Sequence, residues 1–140
     1  MLPVCFKNIF FFLRSMDDQV MIFLCGVYSL GFAVFHTQFW KIFNWKTDLE
    51  KLQPANKAII QIANIRLIYL FLFVAAICFI FPDELSATTL GNFFLIGMSL
   101  FWLGRTIEQF IFVRIKHPMV EMLTFIFILG TIMFAIPVFL

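Results

Sequence analysis

The chain has 140 residues, of which 63% are hydrophobic, 19% aromatic and only 13% charged, with a formal net charge of +2. A soluble domain is about 45–50% apolar and about 25% charged, so this balance excludes a soluble globular domain, a disordered chain and a disulfide scaffold. The small positive excess also excludes a reader of the nucleic-acid backbone, which neutralises phosphates with many Lys and Arg side chains.

The mean hydropathy of +1.01 points to a polytopic membrane protein. A spanning helix needs about 20 mostly apolar residues, and four of them consume most of this length. The predicted fold is all-α: an integral membrane bundle of four antiparallel transmembrane helices, with no room for a soluble catalytic domain.

Residues 1–19 form an N-terminal segment, and 20–140 a single transmembrane domain. In the segment, Phe6, Ile9, Phe10 and Leu13 share one helical face and Lys7, Arg14 and Asp18 another, which predicts an interfacial helix. The apolar run is too short for a signal-peptide core, and no small-residue cleavage pattern follows. Met16 offers an alternative initiator that would remove the segment.

Span one is predicted over about 20–43, ending in Phe39, Trp40, Phe43 and Trp45 interleaved with Lys41 and Lys46. Trp beside Lys is the composition of an interfacial anchor. In the loop that follows, Thr47 and Glu50 match a capping box and predict a short amphipathic helix over Asp48–Leu52. Span two is predicted over 58–81, with Pro54 suited to its first turn. An acidic turn, Pro82-Asp83-Glu84, leads to span three over 89–115. Pro118 then opens span four over 119–140, with Glu121 in its first turn, where the helix dipole favours an anion. Pro137 lies too near the end to break that helix.

Lys and Arg placement sets the expected orientation. Lys41, Lys46, Lys51 and Lys57 flank the first loop and Arg114 and Lys116 occupy the third, whereas the acidic turn and the C-terminus hold none and the N-terminal segment holds two, Lys7 and Arg14, or none if Met16 is the start. The positive-inside rule places loops 44–57 and 114–118 in the cytoplasm and both termini outward, in a bacterial inner membrane.

Polar residues within the spans are sorted accordingly. His36, Gln61, Asn64, Arg105, Glu108 and Gln109 all fall toward the cytoplasmic ends. Ionisable residues in a span are functional-site hypotheses by default, so these six are the candidate polar network or ligand site, read alternatively as structural hydrogen bonding between helices. At about 100° per residue, Trp102, Arg105, Glu108 and Gln109 share one arc of span three, and Arg105 and Glu108 are an i,i+3 pair. Gly97 and Gly104 share another face, where a neighbouring helix is expected to approach. Arg66 lies nearly opposite Asn64 and reads as a snorkelling side chain. With Trp40, Trp45, Arg114 and Lys116 it makes the predicted set of headgroup anchors.

No cofactor or metal is expected. His36 and His117 lie toward the same membrane side, but in a span end and a loop, not on facing helices as axial haem ligands require. Of the three cysteines, Cys5, Cys25 and Cys78, the last two fall at similar depth near the outward ends of their spans and are disulfide candidates. The 22 Phe residues read as apolar filler. There is no Gly-rich phosphate loop, no G-x-S-x-G and no H-E-x-x-H.

The expected function is therefore non-catalytic: a small integral membrane protein that binds lipid headgroups or an anion at the cytoplasmic leaflet, or serves as an accessory or scaffold subunit. Its expected partners are membrane lipids, a second copy or a membrane complex, and no nucleic acid. A small oligomeric transporter or channel using Arg105, Glu108 and His36 is the alternative, and a membrane enzyme acting on a lipid-soluble substrate the third reading.

Overall fold

The computed structural model describes the backbone over residues 4–113 and 117–139, and the side chains within those ranges from residue 17 onward. It is all-helical, and no strand occurs among the described residues. In chain order the helices are α1 (Val4–Thr37), α2 (Phe39–Ile42), α3 (Trp45–Asp48), α4 (Pro54–Ile80), α5 (Pro82–Ala87), α6 (Thr89–Phe112) and α7 (Pro118–Phe139), with a 3-10 turn at Leu49–Lys51 after α3. Among the described residues, four stretches are long and apolar enough to cross a membrane: Asp17–Thr37, Pro54–Ile80, Thr89–Phe112 and Pro118–Phe139.

Local chemistry explains most helix ends. At the end of α1, the Gln38 N–H donates to Phe35 O, three residues back, at 3.0 Å. Span one therefore stops as an α-helix at Thr37, earlier than expected, and continues as the single turn α2. Asn44 then takes the left-handed conformation, with φ 47, which Asn tolerates better than other non-glycine residues. The next turn starts from Asn44 O, which accepts from Thr47 N at 3.0 Å and from Asp48 N at 3.1 Å. Thr47 thus lies inside α3 instead of capping it, and the predicted capping box with Glu50 is not formed: Asn44 has already nucleated the turn three residues earlier.

Pro54 opens α4 and Pro118 opens α7, where their missing N–H groups are harmless. The acidic turn is a short helix, α5, with Pro82 in its first turn. Thr88 separates α5 from α6 and serves both: its Oγ1 accepts from Gly91 N at 2.9 Å and donates to Glu84 O at 2.7 Å. α6 ends at Phe112, three residues before the predicted boundary, because Val113 leaves the helical region (φ −100, ψ 81). α7 continues through Pro137 to Phe139.

The chain divides into two compact units, Met1–Cys25 with Cys78–Leu140, and Gly26–Ile77. In the first, α6 buries Gly91, Leu95, Met98, Trp102, Thr106 and Gln109, a three-and-four spacing that forms one helical stripe. It packs on α7, which buries Phe127, Gly130, Phe134 and Pro137. Ser99 Oγ donates to Thr131 O at 2.8 Å, Trp102 stacks on Phe127 with centroids 5.8 Å apart, and Gln109 Nε2 donates to Val120 O at 3.5 Å. Residue numbers climb on α6 as they fall on α7, so these two helices form a hairpin. α5 closes against α6 at Gly91, and Gln19 Nε2 donates to Asp83 Oδ1. In the second unit, Phe32 packs on Phe71 at 5.6 Å, and an aromatic chain runs from His36 through Phe39 to Trp45.

Candidate functional site

The predicted polar residues fall into two groups, one in each unit. In the Gly26–Ile77 unit, His36 and Asn64 hold each other reciprocally. Asn64 Nδ2 donates to the His36 backbone carbonyl at 3.1 Å. That orientation turns Asn64 Oδ1 toward His36 Nδ1, 2.8 Å away, so Nδ1 carries the proton that bridges them. Both residues are buried, and the imidazole stacks on Phe39 with centroids 4.3 Å apart and meets Phe71 at 5.3 Å. A His locked by a carboxamide on one edge and by rings on its faces is a helix-to-helix fastener. Gln61 is half-buried and makes no hydrogen bond among the described residues. Arg66 is exposed. Trp40 and Trp45, both half-buried, pack edge to face at 5.2 Å.

The second group lies on the α6–α7 hairpin. Gln109 is buried, and Thr106 returns its hydroxyl to Trp102 O at 2.9 Å. Arg105 and Glu108 border this buried stripe, with side chains 37% and 58% exposed. The Arg105 guanidinium lies over the Phe127 ring, its Cζ 4.8 Å from the centroid. This is cation–π geometry, and it seats the guanidinium against α7. Its separation from Glu108 is 4.0 Å, Nη1 to Oε2, an ion pair too long for a hydrogen bond. Among the described residues no acceptor lies within hydrogen-bond distance of the guanidinium, and no donor within that distance of the Glu108 carboxylate. A guanidinium carries five N–H donors, so this pair keeps most of its hydrogen-bonding capacity for something else.

Cys25 and Cys78 are both buried. Their sulfurs are not joined, and the Cys25 thiol donates instead to Met133 O at 3.3 Å. His117 Nδ1 accepts from the Met119 N–H at 3.2 Å, capping the start of α7. No cluster of metal-ligating side chains occurs among the described residues. Gly97 and Gly104 meet nothing within 4 Å of the position a Cβ would take; the close helix approach expected there falls instead at Gly91. The predicted anchors Arg114 and Lys116, and the side chains of residues 1–16, lie outside the described residues.

Two participants were not singled out from sequence. Phe127 is one of 22 Phe residues, and only its position under Arg105 distinguishes it. Phe39, which stacks on His36, has the sequence signature of an interfacial aromatic; its i,i+3 spacing from His36 is the signal for the contact.

No protein-family model matches the chain, no curated protein matches its sequence and no solved structure matches its fold.

Proposed function

We propose that the chain is an integral membrane protein of four antiparallel spans, with both termini outward and loops 44–57 and 114–118 in the cytoplasm, that acts by binding and not by turnover. The short helical stretch from Trp45 to Lys51 is its amphipathic loop helix at the cytoplasmic surface: Leu49 is buried, while Lys46, Asp48, Glu50 and Lys51 are exposed. The five Lys and Arg residues in these two loops, against none in the acidic turn or at the C-terminus, support the orientation.

One observation carries the binding reading. Of the polar side chains near the inner ends of the spans, His36, Asn64 and Gln109 are buried and hydrogen-bonded within the protein, whereas Arg105 and Glu108 present unused hydrogen-bonding capacity at an open edge. An Arg about 5 Å inside the hydrocarbon boundary costs free energy unless its charge is met. A headgroup phosphate or an acidic group of a membrane partner meets it at the depth a snorkelling Arg reaches.

The test is native mass spectrometry of the full chain released from its own membrane in mild detergent. Retained lipid, a partner or a second copy is the expected result. A bare single chain under conditions that preserve its helicity overturns the binding reading.

A further inference from the structure

The order and spacing of charge at Arg105 and Glu108 point to a specific ligand class, an inference that rests on the binding reading above. We propose that this pair is a headgroup site for a zwitterionic phospholipid carrying a primary ammonium: Arg105 takes the phosphate and Glu108 takes the amine.

Four features argue for it. The first is depth. Glu108 lies three residues closer than Arg105 to the α6 end at Phe112, a rise of about 4.5 Å along the helix axis. A membrane phospholipid presents its groups in the same sequence, with phosphate deeper and the terminal amine further toward water. The two-carbon bridge of an ethanolamine headgroup separates those groups by a comparable reach. The second is shared facing. The two side chains are one helical turn apart and 4.0 Å from each other at their tips, so one headgroup spans both.

The third is charge balance. The site holds one positive and one negative group, and a zwitterion of zero net charge satisfies both. An anionic headgroup satisfies Arg105 but sets its oxygens against the Glu108 carboxylate, while a choline headgroup offers Glu108 a quaternary nitrogen with no N–H to donate. The fourth is preorganisation. Phe127, only 5% exposed, holds the guanidinium from beneath, so its planar fork is presented with little left to order. Arg in this arrangement binds a phosphate through two parallel N–H donors, which a Lys point charge does not reproduce.

The experiment titrates the purified full chain in mild detergent with phosphatidylethanolamine, phosphatidylcholine and phosphatidylglycerol of matched acyl chains. Bound lipid is read by native mass spectrometry, and helicity is monitored by circular dichroism. The wild type is expected to retain phosphatidylethanolamine over both others. Arg105→Gln should weaken all three by about tenfold, the loss of charge-assisted hydrogen bonds to phosphate. Glu108→Gln, at an exposed position that leaves the fold intact, should keep the lipid but abolish the preference for ethanolamine over choline.

Equal retention of the three lipids by the wild type overturns the headgroup assignment while leaving the binding reading standing. So does a preference that survives Glu108→Gln. Arg105→Lys, which keeps the charge and loses the fork, should fall well below wild type; full retention by that variant overturns the role given to Arg105. If no lipid, partner or second copy is retained at all, the binding reading itself falls, and this site with it.

Discussion

At the scale of single residues, the clearest contrast is between two glycines of α6. A Cβ at Gly91 would overlap the backbone carbonyl oxygens of Leu85 and Glu84, whereas one at Gly97 meets nothing within 4 Å. Backbone cannot rotate away, so Gly91→Ala forces α5 off α6 and should cost about 1–3 kcal/mol, the range for overpacking. Gly97→Ala gains helix propensity at no steric cost and should stabilise by about 0.5–1 kcal/mol. Unfolding of the purified protein in mixed detergent–SDS micelles should move in opposite directions for the two variants. The helical wheel points to Gly97 and Gly104 and not to Gly91, because the atoms that decide the close approach belong to the preceding helix. Asn64 presents the same lesson in polar form. Its burial against His36 was expected only as membership of a general network; the reciprocal bond is a consequence of packing. Asn64→Ala leaves the His36 carbonyl and Nδ1–H without those partners and should destabilise by about 1–3 kcal/mol. Asn64→Gln, which cannot fit the same geometry, should not rescue it in the same unfolding assay.

At the scale of elements, sequence signals worked where a residue's own backbone chemistry sets the end. Pro54 and Pro118 each open the helix they were expected to begin, which follows from a fixed φ and a missing donor; Pro82, expected in a turn, opens the short helix α5 for the same reason. Signals failed where two local options competed. Thr47 and Glu50 have capping-box spacing, yet Asn44 takes the left-handed turn first and draws Thr47 into the helix. The boundary between α5 and α6 shows a cap that is used. Thr88 receives the Gly91 N–H and returns its own hydroxyl to Glu84 O. Thr88→Ala should therefore cost about 1 kcal/mol, and Thr88→Ser, an equal or better cap, should restore it. Hydrogen exchange is the discriminating measurement: the alanine variant should lose protection at the first turn of α6 while the α6–α7 hairpin keeps it.

At the scale of the whole molecule, the proposed orientation predicts the outcome of reporter fusions. A C-terminal alkaline phosphatase should be active, and the same enzyme inserted between Leu52 and Gln53 should be inactive. The reverse pattern would move Arg105 and Glu108 to the outer leaflet. Their vertical order relative to the headgroup would not change, because the end of α6 still faces the nearer interface. Composition and periodicity alone determined that the chain is helical, that four stretches are long and apolar enough to span a bilayer, and that the ionisable residues cluster toward one end of each. These are one-dimensional properties: hydrocarbon thickness sets a span's length, and the burial cost of charge sets where charges fall. Which polar groups are consumed internally and which stay available was decided only by tertiary structure. His36 and Asn64 are 28 positions apart in sequence, and Arg105 meets Phe127 only because α6 and α7 fold back on each other. A hydrogen bond or a cation–π contact needs two groups within a few ångströms, and the packing of helices, not the spacing of residues along any one of them, brings such groups together.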